Sequence, residues 1–367
     1  MTATNGCDAC ASQPFRIFFV LAAGAASAGV LPWLTRGWPA GVTAALWHRE
    51  VLLFGMVPAV LAGFLLTALP RWTRLPPVPR RFVRVLVALW LAGRIAHLWS
   101  PSLAAPIAAS FILSAATLVA VRVVKAGAMR EIKVVSLLIL LAMAAAAPDV
   151  MPADFRIRLA LAAILGLIAL IGGRIAPALT ASYLVLREAQ YGPRLPDSFE
   201  VAAALSLIIA LGLWCFDAEG QGLASMAAAV LQGGRLLAWR PWRVAGQPGL
   251  VAIHLAYAWI PLGLSLNALR SAGLDVSGNA VLHAWAAGAI GGMCLAVMAS
   301  MARRQSRQAF SQPAGSLATV AAGIGAAPLR LLAEFGMPFQ LQHAALCWSS
   351  AFLLFVVAYR RPLGLAR

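Results

Sequence analysis

The sequence predicts an all-α protein: a polytopic transmembrane helical bundle of about 12 spans with both termini cytoplasmic. Three observations predict it. The chain of 367 residues is 62% hydrophobic and only 11% charged, with a mean hydropathy of +0.84, whereas soluble domains carry about a quarter charged residues. Apolar runs close to the roughly 20 residues that a bilayer requires recur along its whole length. The positive charge gathers in alternate loops.

Taken in order, the runs are 15–35, 47–69, 82–100, 103–123, 133–150, 156–177, 199–216, 220–239, 249–270, 277–300, 314–333 and 339–359, the fifth and seventh being short. The first has too thin a positive flank for a cleaved signal peptide, and further spans follow it at once. So many spans leave little chain for anything else. Residues 1–367 are therefore expected to form a single integral membrane domain, with short cytoplasmic tails at 1–14 and 360–367.

The net charge of +17 taken alone is compatible with nucleic acid, but its placement points to lipid. Arg71, Arg74, Arg80 and Arg81 fill one loop, Arg122, Lys125, Arg130 and Lys133 another, and Arg235, Arg240 and Arg243 a third; Arg303, Arg304, Arg307, Arg360 and Arg361 continue the series. The intervening loops hold few charges, many of them acidic, among them Asp149, Asp154, Asp217, Glu219, Asp275 and Glu334. This alternation is the positive-inside pattern, and an even number of spans agrees with it. Nucleic acid is not needed as a partner; the bilayer is.

Five cysteines make no disulfide framework, three of them lying inside predicted spans. Cys7 and Cys10 form a C-x-x-C pair near the N-terminus without a second pair to complete a four-ligand site.

The orientation gives each histidine a depth. His48, His97, His283 and His343 fall towards the periplasmic side, and only His254 lies in the inner half of its span. Tryptophans such as Trp47, Trp99, Trp285 and Trp348 mark the same outer level, so a lone histidine there also reads as an interface residue. Around His283 the run "LHAWAAGAIGGM" has small residues that admit either a flat group or another helix. Arg94 and His97 share one face of the third span, and Arg94 is deep enough to require an internal partner or an anionic ligand. Glu50 is one candidate partner.

Several blocks resemble the NnrS family of haem- and copper-containing bacterial membrane proteins. The family pattern W-H-x-H-E-M-L-F-G is similar to the stretch with Trp47, His48, Phe54 and Gly55, and "GFLLTALPRWT" (63–73) follows as it does in that family. "LWLAGRIAHL", "LIALIGGRIAPALT", "HLAYAWIPLGLSL" and "LHAWAAGAIGGMCLAVM" match later blocks in the expected order. There are departures. The family's second histidine falls on Glu50 and its glutamate on Val51, "MARRQSRQAF" stands where a G-H-T-G stretch is usual, and "LAMAAAAPD" lacks a histidine.

The resemblance implies a bacterial inner-membrane protein linked to nitric oxide response and denitrification, acting by ligand binding, protection or electron transfer. It implies haem b as cofactor, with copper less well supported because histidines are missing. The expected haem site is near the outer face, between His48 and His283, with Arg94 or Arg49 on the propionates and His97 beside Arg94; His254, about 15 Å deeper at the helical rise, would line a second, weaker site. Glu50 either offers a carboxylate to the metal or neutralises Arg49 or Arg94. No hydrolase triad, phosphate loop or dinucleotide fingerprint occurs, and no catalytic residue is assigned. Two other readings stand beside this one. A secondary transporter would suit the span count and the prolines at Pro58, Pro106, Pro261 and Pro328. A metal-free structural or assembly protein would suit the lost histidines.

Overall fold

The computed structural model describes residues 13–35, 43–146, 150–187, 195–306, 314–337 and 340–366, and these are helical with no strand among them. The helices are α1 (Pro14–Ala28), α2 (Ala44–Thr73), α3 (Arg80–His97), α4 (Pro101–Lys125), α5 (Ile132–Ala146) and α6 (Ala153–Val185). They continue as α7 (Asp197–Cys215), α8 (Gln221–Ala238), α9 (Pro248–Ser271), α10 (Gly278–Gln305), α11 (Ala314–Glu334) and α12 (Gln340–Ala358).

Each expected apolar run is thus a helix, but among the described residues nine are long and apolar enough to cross a membrane. The other three fall short for separate reasons. α3 carries Arg80, Arg81, Arg84 and Arg94, α5 has only 15 residues, and α8 carries Gln221, Gln232 and Arg235. Cys7 and Cys10 lie outside the described residues.

Most helices adjacent in sequence pack side by side, as their short connections require, α2 and α3 being the exception. α2, α6 and α10 are the long ones, and they meet along an interior seam lined by Val60, Phe64, Ile168, Ile171, Met293 and Val297. Helices on the outside are apolar around their circumference. On α7, Val201, Leu205, Ile208 and Ile209 are all more than half exposed, the surface that lipid would cover.

The three long helices share a second property. Each contains a π-helical stretch, at Leu52–Met56, Ile168–Gly172 and Ala284–Gly291. A π turn accommodates one surplus residue and leaves carbonyls poorly paired. Side chains take up that slack in two of the three. Trp90 Nε1 donates to the Gly55 carbonyl at 2.9 Å, and Arg235 Nη1 donates to the Ala169 carbonyl at 2.9 Å. Pro58 and Pro177 sit just beyond these stretches, where their missing N–H already breaks the helical ladder.

Part of the small-residue surface of α10 is filled by other helices. Trp259 of α9 lies on Gly288, Trp285 of α10 lies on Gly263 of α9, and Trp348 of α12 lies on Gly291, each leaving no room for a Cβ. Close helix packing is thus realised at Gly288 and Gly291, while Ala286 and Ala287 line a cavity.

Candidate functional site

His48 and His283 reach one cavity by matching local designs. α2 starts behind Thr43, whose hydroxyl accepts from Leu46 N at 3.2 Å; α10 starts behind Ser277, whose hydroxyl accepts from Ala280 N at 3.0 Å. Such caps satisfy N–H groups that a helix start leaves unpaired. About one and a half turns later each helix presents its histidine, and the π stretch follows within one further turn.

The ring centres of His48 and His283 are 6.4 Å apart, with planes inclined at 30°. His48 Nδ1 is 3.0 Å from the Gly29 carbonyl, and His283 Nδ1 is 2.9 Å from the Asn279 carbonyl. A carbonyl can only accept, so both Nδ1 atoms carry the proton and both Nε2 atoms keep a lone pair. No hydrogen bond among the described residues uses either Nε2. The edge of Trp33 packs on His48 with centres 4.8 Å apart, restraining its ring.

The cavity the two rings share has a volume of about 140 Å³ and is walled by Leu52, Met56, Ala286, Ala287, Ala344 and Trp348, among others. One cation, Arg330 of α11, lines it. Arg330 pairs with Glu334 at 2.6 Å, and Glu334 accepts from the Ser277 hydroxyl at 2.7 Å, tying α11 to the cap of the helix that bears His283.

This donor set suits a metal. An ion between two facing imidazole nitrogens, at metal–nitrogen bonds of about 2.0–2.1 Å and roughly 1.1 Å from nitrogen to ring centre, separates the centres by about 6.2–6.4 Å. Backbone carbonyls on Nδ1 are the usual second partners of metal-binding imidazoles.

The other sequence candidates lie elsewhere. Glu50 is buried and its carboxylate pairs with Arg156 of α6 at 2.6 Å. Arg156 also donates to the Ala144 carbonyl at 2.7 Å and lies over the Phe54 ring. Arg94 does have an internal partner within Glu50, but it is the backbone carbonyl, at 3.1 Å. Its guanidinium rests on Gly55. Arg49 is exposed and stands apart from the pair. The arginine beside the imidazoles is Arg330, not Arg94 or Arg49.

His97 is buried and stacks on Trp47 with ring centres 5.5 Å apart, and its Nε2 has no partner among the described residues. It does not line the cavity. His343 is exposed. His254 is buried in α9, where its Nε2 is 2.9 Å from the Thr180 hydroxyl and Trp239 packs beside it. It is alone there. Among the described residues no three of His, Cys, Asp and Glu gather into a group able to hold a metal ion.

Two residues of this region were missed by sequence reading. Arg156, in "DFRIRLAL", starts a span and looks like an interfacial anchor. Arg330, with Glu334 one turn on, looks like an ordinary surface pair. In both cases the rotation of the helix decides, and hydropathy carries no record of it.

A many-helix membrane protein with two imidazoles sharing one apolar cavity is the class that this geometry defines. The chain belongs to the NnrS protein family, whose model matches residues 9–367. No curated protein matches it.

Proposed function

We propose that this chain is a haem-binding NnrS-type protein of the bacterial inner membrane, with haem b held between His48 and His283 near the outer face and both termini cytoplasmic. Its role by family resemblance is in nitric oxide response. The observation that carries this reading is the pair of Nε2 atoms left free on rings 6.4 Å apart.

When bound, haem supplies a redox-active iron. The residues of the chain do the rest. The Gly29 and Asn279 carbonyls fix the tautomer of each imidazole and raise its basicity. The apolar walls exclude water, and Arg330 offers a cation to a propionate. His48 and His283 would hold the haem, and the chemistry it would supply there is electron transfer or the binding of a small ligand.

The test is the optical spectrum and metal content of detergent-purified protein. His48→Ala and His283→Ala should each abolish or shift the Soret band, while His254→Ala should leave it in place. A protein without stoichiometric haem or copper, or a spectrum indifferent to both substitutions, ends the proposal.

One observation favours a second reading, a copper ion at the same place. About 140 Å³ is below the roughly 300–1,000 Å³ of typical cofactor pockets, and a haem would require α11 and α12 to stand further from α2 and α10. Copper accepts imidazole readily. Stoichiometric copper without a Soret band, lost in either variant, would select this reading.

A further inference from the structure

Arg303, near the end of α10, is a buried cation without a counter-charge among the described residues. Its exposure is 4%. Nη1 donates to the Tyr359 hydroxyl at 3.0 Å and reaches the Ser316 hydroxyl at 3.5 Å, and those hydroxyls hydrogen-bond to each other at 2.5 Å. Its Nε has no partner, and no carboxylate among the described residues pairs with it. The guanidinium also lies against Gly249, in the first turn of α9, so close that no Cβ would fit. The N-terminal end of a helix carries partial positive charge. Two positive features therefore meet in a buried place, where an unpaired charge is strongly disfavoured.

Arg303 closes one end of a groove of about 280 Å³ between α9, α10 and α11. Its floor is made of small residues such as Ala252, Gly292, Ala296 and Gly323, and it runs as far as Gly288. That is 15 residues along α10, about 22 Å at the helical rise. Leu255 and Leu262 on its edge are each 41% exposed, so it opens sideways to the surface that lipid covers.

We infer that this groove is a binding site for an anionic lipid. The phosphate sits at the end of the groove that Arg303 and the first turn of α9 line together, and one acyl chain lies along the α9–α10–α11 seam. The acidic headgroup supplies the missing counter-charge, and the length and apolarity of the groove require a tail. The inference uses none of the residues around His48 and His283 and stands or falls separately from the metal.

Native mass spectrometry of the full chain tests it, with phosphatidylglycerol, phosphatidylcholine of identical tails, and inorganic phosphate as probes. Phosphatidylglycerol should be retained at least tenfold more tightly than phosphatidylcholine. Arg303→Gln should abolish that preference, and Arg303→Lys should keep most of it. Ala252→Phe, which fills the groove and leaves the cation in place, should weaken both lipids. Equal retention of the two lipids, or a preference that survives Arg303→Gln, overturns the inference. So does inorganic phosphate displacing phosphatidylglycerol with Ala252→Phe without effect, which would mark a site for a free anion only.

Discussion

At the scale of single residues, the charges at the head of α2 are distributed among different neighbours. His48 turns to the cavity, Glu50 to Arg156 and Arg49 outward. The Glu50–Arg156 pair is buried on both sides, so removing one partner strands the other. Arg156→Met or Glu50→Gln alone should destabilise the fold by about 3–5 kcal/mol, whereas replacing both together should cost much less. Thermal unfolding of the three variants in detergent checks the asymmetry; equal losses in all three would contradict it. The sequence already put His48 and His283 at one depth, because distance along a helix measures depth directly. It offered Arg49 or Arg94 to Glu50 and passed over Arg156, the actual partner. Arg94 and Arg156 both lie within reach in depth, and only the azimuth of α3 and α6, set by packing, separates them.

At the scale of helices, the surplus residue in each π stretch fixes how the two halves of a long helix are rotated. Deleting Ala287 should restore regular α-helix and turn the residues before it by about 100° relative to those after it. His283 would then leave the cavity while Trp285 lost its seat on Gly263. The expected result is loss of metal binding together with a lower melting temperature, measured against a deletion in the Leu274–Ser277 connection as control. The exchange of tryptophans between α9 and α10 gives a second expectation. Gly263→Ala and Gly288→Ala each push a methyl group into an indole and should cost about 1–3 kcal/mol, measured by thermal unfolding. None of this was visible in hydropathy, since a π stretch and an α stretch are equally apolar. The small residues of "AWAAGAIGG" did announce close contact, though not its partner.

At the scale of the whole molecule, hydropathy located all the helices because the cost of unpaired backbone in lipid makes each long apolar run helical. It was less informative about which of them span, since α3 and α8 carry arginines and glutamines that the bundle uses internally and α5 counts only 15 described residues. Arg94 on α3 and the Gln232–Tyr257–Arg235 cluster are examples. Outside the bundle, Asp217 accepts from Gln221 at 2.8 Å and pairs with Arg158 at 3.3 Å, which hold its carboxyl below the ordinary carboxylate range. A depressed folded pKa gives stability that is present above the unfolded value, near 3.9, and is lost as pH falls through the folded value. Asp217→Asn should therefore lower the melting temperature slightly at pH 7 and converge with the parent protein below about pH 4, a small effect that salt screens.

The two imidazoles of the cavity belong to α2 and α10, and α11 and α12 complete the walls around them. A ribosome that has delivered His48 must add 235 further residues before His283 exists, and some sixty more before Trp348 closes the chamber. The nascent chain thus carries one imidazole of the pair long before the other, and any group that needs both, such as the one proposed above, would wait for near-complete synthesis and insertion. Truncation anywhere before α12 would leave the chamber without one of its walls.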